Sequence, residues 1–191
     1  RARLATATDG LLGGDKAALD PAFYGSGMRA WLGQAKLAGA QKLAGVALGS
    51  EDPVFRPSAL RAVAASGDAE TARWVLDGFK DARLRPSERL SMIAGILVTP
   101  ETREIGYTWL KAHLDEMLSG SGGIFLAARL PSTLAGFCSA DQAKEFEALR
   151  PRFAGRSGAL ELERTIERVR DCGVLKEARG ADLSAAVAKI K

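Results

Sequence analysis

The chain has one histidine, His113, and two cysteines, Cys138 and Cys172, among 191 residues. One histidine cannot supply the pair that a His-Glu-x-x-His zinc site requires. Two cysteines 34 positions apart make neither a four-ligand structural zinc site nor a disulfide framework, and are expected as small buried apolar residues. A reactive Cys138, placed just before an N-cap serine, is the minor alternative. Aromatics are only 6% of the chain, and no run of alternating apolar and polar residues marks a strand. No segment approaches the roughly 18 apolar residues of a membrane span. An excess of one charge is also missing. The net charge is +4, and the signs alternate along Glu161–Arg170, which describes a solvated helix face and not a nucleic-acid footprint.

What is plentiful is alanine, with 34 residues, and leucine, with 24, a helix-forming composition. Apolar residues recur at spacings of three and four, punctuated by Gly, Pro and Ser. Residues 1–52 are Gly-rich and the least regular. A truncated helix opens them, and a helix or broken pair follows over about 28–48, with Trp31, Leu32, Leu43, Val46 and Ala47 as candidate core. Pro53 and Pro57 enforce a break. Beyond it Leu60, Val63 and Ala64 form one helical face, Gly67 suits a C-terminal cap and Asp68 the next N-cap. Ala72, Val75, Leu76 and Phe79 form the facing stripe. Leu90, Ile93, Ala94 and Leu97 repeat the plan. Thr99, as N-cap, then starts a long helix with Pro100 at its first position, carrying Ile105, Trp109, Leu110, Leu114, Met117 and Leu118. A helix over about 124–136 is kinked or opened by Pro131. Ser139 with Gln142 forms a capping box for the next. Ser157 opens another, carrying Leu162, Ile166 and Val169 and closed by Gly173, and a short helix over 182–190 ends the chain. The expected fold is all-α: an irregular superhelix of paired antiparallel helices, HEAT- or armadillo-like, over residues 53–191, without significant β-sheet.

Few constellations offer chemistry. Gly25-Ser-Gly27-Met-Arg-Ala30 has dinucleotide-loop spacing but follows no strand, so it reads as a loop before a helix. Ser119–Gly123 lacks the Lys-Ser/Thr of a phosphate loop and reads as an inter-helix connection. His113 lies one helical turn from Glu116 and suits a surface ion pair better than a catalytic role, since no Gly-x-Ser-x-Gly turn accompanies it. Trp31, Trp74, Tyr107, Trp109 and Phe125 fit core stripes, and the alternative is that any of them lines the concave face of an array, where such folds bind partners. Arg129 is the one charge in the apolar run Ile124–Pro131. It must snorkel or find an acidic partner, and it is suited to gripping a carboxylate.

From about Pro57 onward, Ser58–Asp68, Thr99–Leu118 with Gly106, Tyr107, Trp109, His113 and Leu114, and the junction Phe137-Cys-Ser-Ala-Asp141 together resemble the C-terminal helical domain of the aminopeptidase N and puromycin-sensitive aminopeptidase family. The likeness covers about 120 residues and fades before Pro53. The Asn and second Trp of the family's Trp-containing stretch are not kept. The resemblance implies a non-catalytic domain that encloses the peptide chamber of a zinc aminopeptidase. The zinc motif, the distal glutamate ligand and the exopeptidase motif would lie in a separate upstream domain, so this chain would hold no cofactor. Its partners would be that catalytic domain and the peptide substrate, with no nucleic acid and no membrane span. In some members a basic residue of this domain binds the peptide's C-terminus, and Arg129 stands in the corresponding region. That the chain begins at Arg1 in mid-pattern fits the same expectation of a longer parent. A free-standing helical-repeat scaffold that binds a protein partner is the alternative.

Overall fold

The structure is a computed structural model that describes residues 1–120 and 122–189. Among these residues it is helical throughout, with no strand. Its contacts divide it into two compact units, one ending at Leu114 and the other beginning at Asp115.

The first unit contains α1 (Ala2–Leu12), α2 (Tyr24–Leu48), α3 (Phe55–Ala64), α4 (Ala69–Asp77), α5 (Pro86–Val98) and the first three turns of α6 (Arg103–Ser119). α2 packs against both α1 and α3. Gly27 permits the first of these contacts, because a Cβ there would lie 2.8 Å from the Thr8 hydroxyl and from Leu19 Cδ2. The dinucleotide-like glycines therefore sit inside a helix, where Gly27 serves packing and Gly25 is exposed. α2 is a broken pair: Lys36 adopts φ 51°, ψ −147° within it. Of its candidate core, Trp31, Leu32, Leu43 and Ala47 are buried, but Val46 is 44% exposed. Trp31 donates its indole N–H to Asp9 at 3.3 Å.

Local chemistry sets the next boundaries. Gly67 has φ 77°, and Asp68 caps α4 by accepting the Thr71 N–H at 2.9 Å and its hydroxyl at 2.8 Å. The α4 stripe Ala72, Val75, Leu76 and the following Phe79 is buried as expected. The α5 stripe is rotated: Met92 and Ile96 join Ile93 and Leu97 inside, while Leu90 and Ala94 are half-buried. Thr99 does not cap α6. It ends α5, its hydroxyl donating back to Gly95 O at 2.7 Å, and the Thr102 hydroxyl donates to Ile96 O at 2.9 Å. These bonds turn 99–102 into a corner, so α6 starts at Arg103 instead of Pro100.

The second unit contains the end of α6, α7 (Gly123–Thr133), a 3₁₀ turn (Leu134–Gly136), α8 (Ala140–Glu147), α9 (Arg150–Phe153) and α10 (Ala159–Ala188). α10 packs on α7, the 3₁₀ turn, α8 and α9 through Leu162, Thr165, Ile166, Val169 and Gly173. Pro131 lies buried inside α7, which ends two residues later. Ser139 caps α8 by accepting the Asp141 N–H at 3.2 Å. Gly173 does not close α10. The helix runs through it and absorbs the expected short last helix, whose end at residue 190 lies outside the described residues, as does Ser121 of the Ser119–Gly123 connection.

The cysteines overturn the sequence expectation. Cys138 and Cys172 form a disulfide, with Cα atoms 4.9 Å apart, and both residues are half-buried. Spacing of 34 residues says nothing against such a bond once the helices between fold back on themselves.

Candidate functional site

α7 has two distinct faces. Leu126, Ala127, Leu130 and Pro131 point inward and are buried. Ile124, Phe125, Ala128, Arg129 and Ser132 occupy the other side, an arc of about 140° at about 100° per residue. There Ile124 is 83% exposed and Phe125 42%, and Arg129 and Ser132 are exposed as well. The apolar run that reads as core around a lone charge is thus a helix whose outer face combines two large apolar side chains with a cation. Phe125 is not core.

Arg129 neither snorkels from a buried site nor meets an acid: no hydrogen bond or ion pair of its guanidinium is found among the described residues. Several other arginines of the unit are engaged, though among the described residues exposed Arg168 is not. Arg150 makes a two-pronged bond to Glu163 at 2.8 and 2.9 Å, which draws that carboxyl below its usual range. Arg152 pairs with Asp115 at 3.3 Å, Arg156 donates to Leu118 O at 3.3 Å, and Arg170 pairs with Glu147 at 2.5 Å. A free planar guanidinium flanked by exposed apolar groups can take a carboxylate bidentately while its neighbours take a side chain.

The first unit places its strongest polar cluster elsewhere. Arg56 and Glu88 are only 5% and 6% exposed. Arg56 Nε donates to Glu88 Oε1 at 2.7 Å and Nη2 to Oε2 at 3.1 Å. Its remaining donors reach Leu48 O at 3.1 Å and Arg83 O at 2.7 Å. Glu88 also accepts the Arg85 N–H at 2.9 Å, capping α5. The Arg56 hydrogen bonds hold Glu88 below the usual carboxylate range despite burial. With all three guanidinium nitrogens engaged, this cluster ties α2, α3 and α5 together. Sequence reading missed it because Arg56 lies in the Pro53–Pro57 break, where no periodicity marks it as inward.

His113 stacks on Trp109, ring centroids 4.3 Å apart, and its Nδ1 lies 2.8 Å from Trp109 O. Trp109 in turn meets Phe79 at 4.8 Å. His113 is therefore fixed as part of an aromatic ladder on α6. Among the described residues no group of three or more His, Cys, Asp or Glu is placed to hold a metal ion, and no helix is long and apolar enough to cross a membrane.

Comparison with known families matches the chain to the family described as ERAP1-like C-terminal domain, over residues 2–171. The match includes residues 2–52, where the sequence resemblance had faded. Comparison with curated proteins gives no match.

Proposed function

Because the chain belongs to the ERAP1-like C-terminal domain family, the C-terminal domain type of aminopeptidases related to aminopeptidase N, we propose that it encloses and shapes a peptide chamber and positions the far end of the peptide. The HEAT-like pairing of its helices would supply the wall. Zinc, which the family implies, does not fit this chain: it has one histidine and no ligand cluster among the described residues. The contribution assigned to these residues is accordingly steric and electrostatic.

The observation that carries the reading is the outer face of α7. Arg129 presents a free guanidinium beside Phe125 and Ile124, in a domain matched to the family over most of its length. In this role Arg129 binds the peptide's terminal carboxylate, and the corresponding contact is missing for a short aminoacyl anilide. The test is Arg129→Ala in a protein that also carries the catalytic domain. A charge-assisted hydrogen bond is worth about 1.5–3 kcal/mol, so KM for peptides should rise about tenfold or more while anilide kinetics stay unchanged. An unchanged ratio of the two rejects the role. The chain by itself, supplied with zinc, should not hydrolyse aminoacyl anilides; turnover by the pure chain rejects the non-catalytic reading.

A further inference from the structure

α10 is docked over only part of its length. Leu162, Ile166 and Val169 are fully buried, and Gly173 is the last buried residue; from Val174 to Lys189 the helix is exposed apart from half-buried Gly180. The disulfide stands at that limit. Cys172 immediately precedes Gly173, and its partner Cys138 lies in the short link before α8. The contact here is backbone against backbone: a Cβ on Gly173 would lie 2.8 Å from Ala140 N and 3.0 Å from the Ser139 Cα and carbonyl carbon.

A helix held by one apolar stripe opens from its free end, where each successive turn loses the fewest contacts. The free end of the docked stretch is the turn that carries Cys172. Gly173 has no side chain to interdigitate at that turn, and the covalent bond beside it supplies a tie there. Both cysteines are half-buried, so a small dithiol can reach them.

We propose that the Cys138–Cys172 bond is a redox latch on α10: closed, it holds the last docked turn against the start of α8; opened by a dithiol, it lets that turn peel away while the rest of the chain stays folded. The latch closes by thiol–disulfide exchange. One cysteine thiolate attacks the S–S bond of a donor disulfide, expelling one donor thiolate and forming a mixed disulfide. The second cysteine thiolate then attacks that bond, releasing the donor's other sulfur. The two thiols of this chain lose two protons and two electrons, and the donor disulfide is reduced to two thiols. These are the only cysteines in the sequence, so no wrong intrachain pairing competes. Such a bond persists where conditions are oxidising.

The test uses the whole chain, oxidised with glutathione disulfide and then split, one half receiving dithiothreitol. Maleimide should label no cysteine in the oxidised half and both in the reduced half. Amide hydrogen exchange at Val169–Gly173 should accelerate about tenfold or more on reduction, while Ile93 and Ile96 in the first unit keep their protection. The pair Cys138→Ser and Cys172→Ser should reproduce the reduced pattern. Two maleimide-reactive thiols after oxidation, or equal exchange in both halves, overturns the latch. Protection lost throughout the chain on reduction overturns it too, since that describes a global staple.

Discussion

At the scale of single residues, the buried Arg56–Glu88 pair carries the largest expected effects. Desolvating both ions is costly, and the geometry offsets it by satisfying the guanidinium with a carboxylate and two carbonyls. Glu88→Leu strands a buried cation and should lower stability by about 3 kcal/mol or more, read as the urea midpoint. Adding Arg56→Met should cost less than the sum of the two single changes, with a coupling of about 1 kcal/mol or more. The same carboxylate gives a pH dependence. Its pKa is lowered in the folded state, so its stabilisation is fully present above the unfolded carboxyl value and is lost as pH falls through the folded one. Asp81, which accepts three bonds from the Arg83 guanidinium and one from its backbone N–H, is lowered from 3.8 to about 2 and acts in the same direction. The urea midpoint should therefore decline as pH drops from about 4 towards 2. Glu88→Gln and Asp81→Asn should each flatten that decline.

At the scale of elements, α2 contains a lysine in backbone territory that suits glycine. Lys36, at φ 51° and ψ −147°, stores a cost of order 1–3 kcal/mol. Lys36→Gly should raise the thermal midpoint, by an amount equivalent to about 1 kcal/mol. A lower midpoint would mean that the lysine side chain contributes more than the strain costs. The elements also show what spacing can and cannot say. Three-and-four periodicity locates the helices because each buries one face, and Asp68 and Ser139 announce their caps. Glycine is ambiguous: Gly67 does turn the chain, but Gly27 and Gly173 let another element approach and sit mid-helix. A one-dimensional pattern cannot separate these uses, because the deciding neighbour is distant in sequence. Thr99 misleads for a related reason, since its hydroxyl answers the helix behind it.

At the scale of the whole molecule, the family was legible from residue order and spacing, while the outer face of α7 was only partly so. Arg129 drew notice as a lone charge. Its exposure with Ile124 and Phe125 follows from helical rotation, which the reading of an apolar run overlooked. The disulfide was invisible because its loop closure depends on how α8 and α10 meet. The family match ends at residue 171, beside the last docked turn of α10. Ending the chain after Leu175 should therefore leave the urea midpoint of the oxidised protein within about 0.5 kcal/mol of the full chain. A larger loss would show that the outer turns are held after all.

Two glycines set how α10 can move. A Cβ on Gly158 would collide with Ala127 O, and one on Gly173 with the start of α8. They bracket the docked stretch like two notches about 22 Å apart. A slide of one turn would bring Leu162 and Glu177 to those points, or Ala154 and Val169, and none of these fits. α10 is thus keyed along its own axis and cannot act as a piston; the motion open to it is a hinge-like swing of its far end.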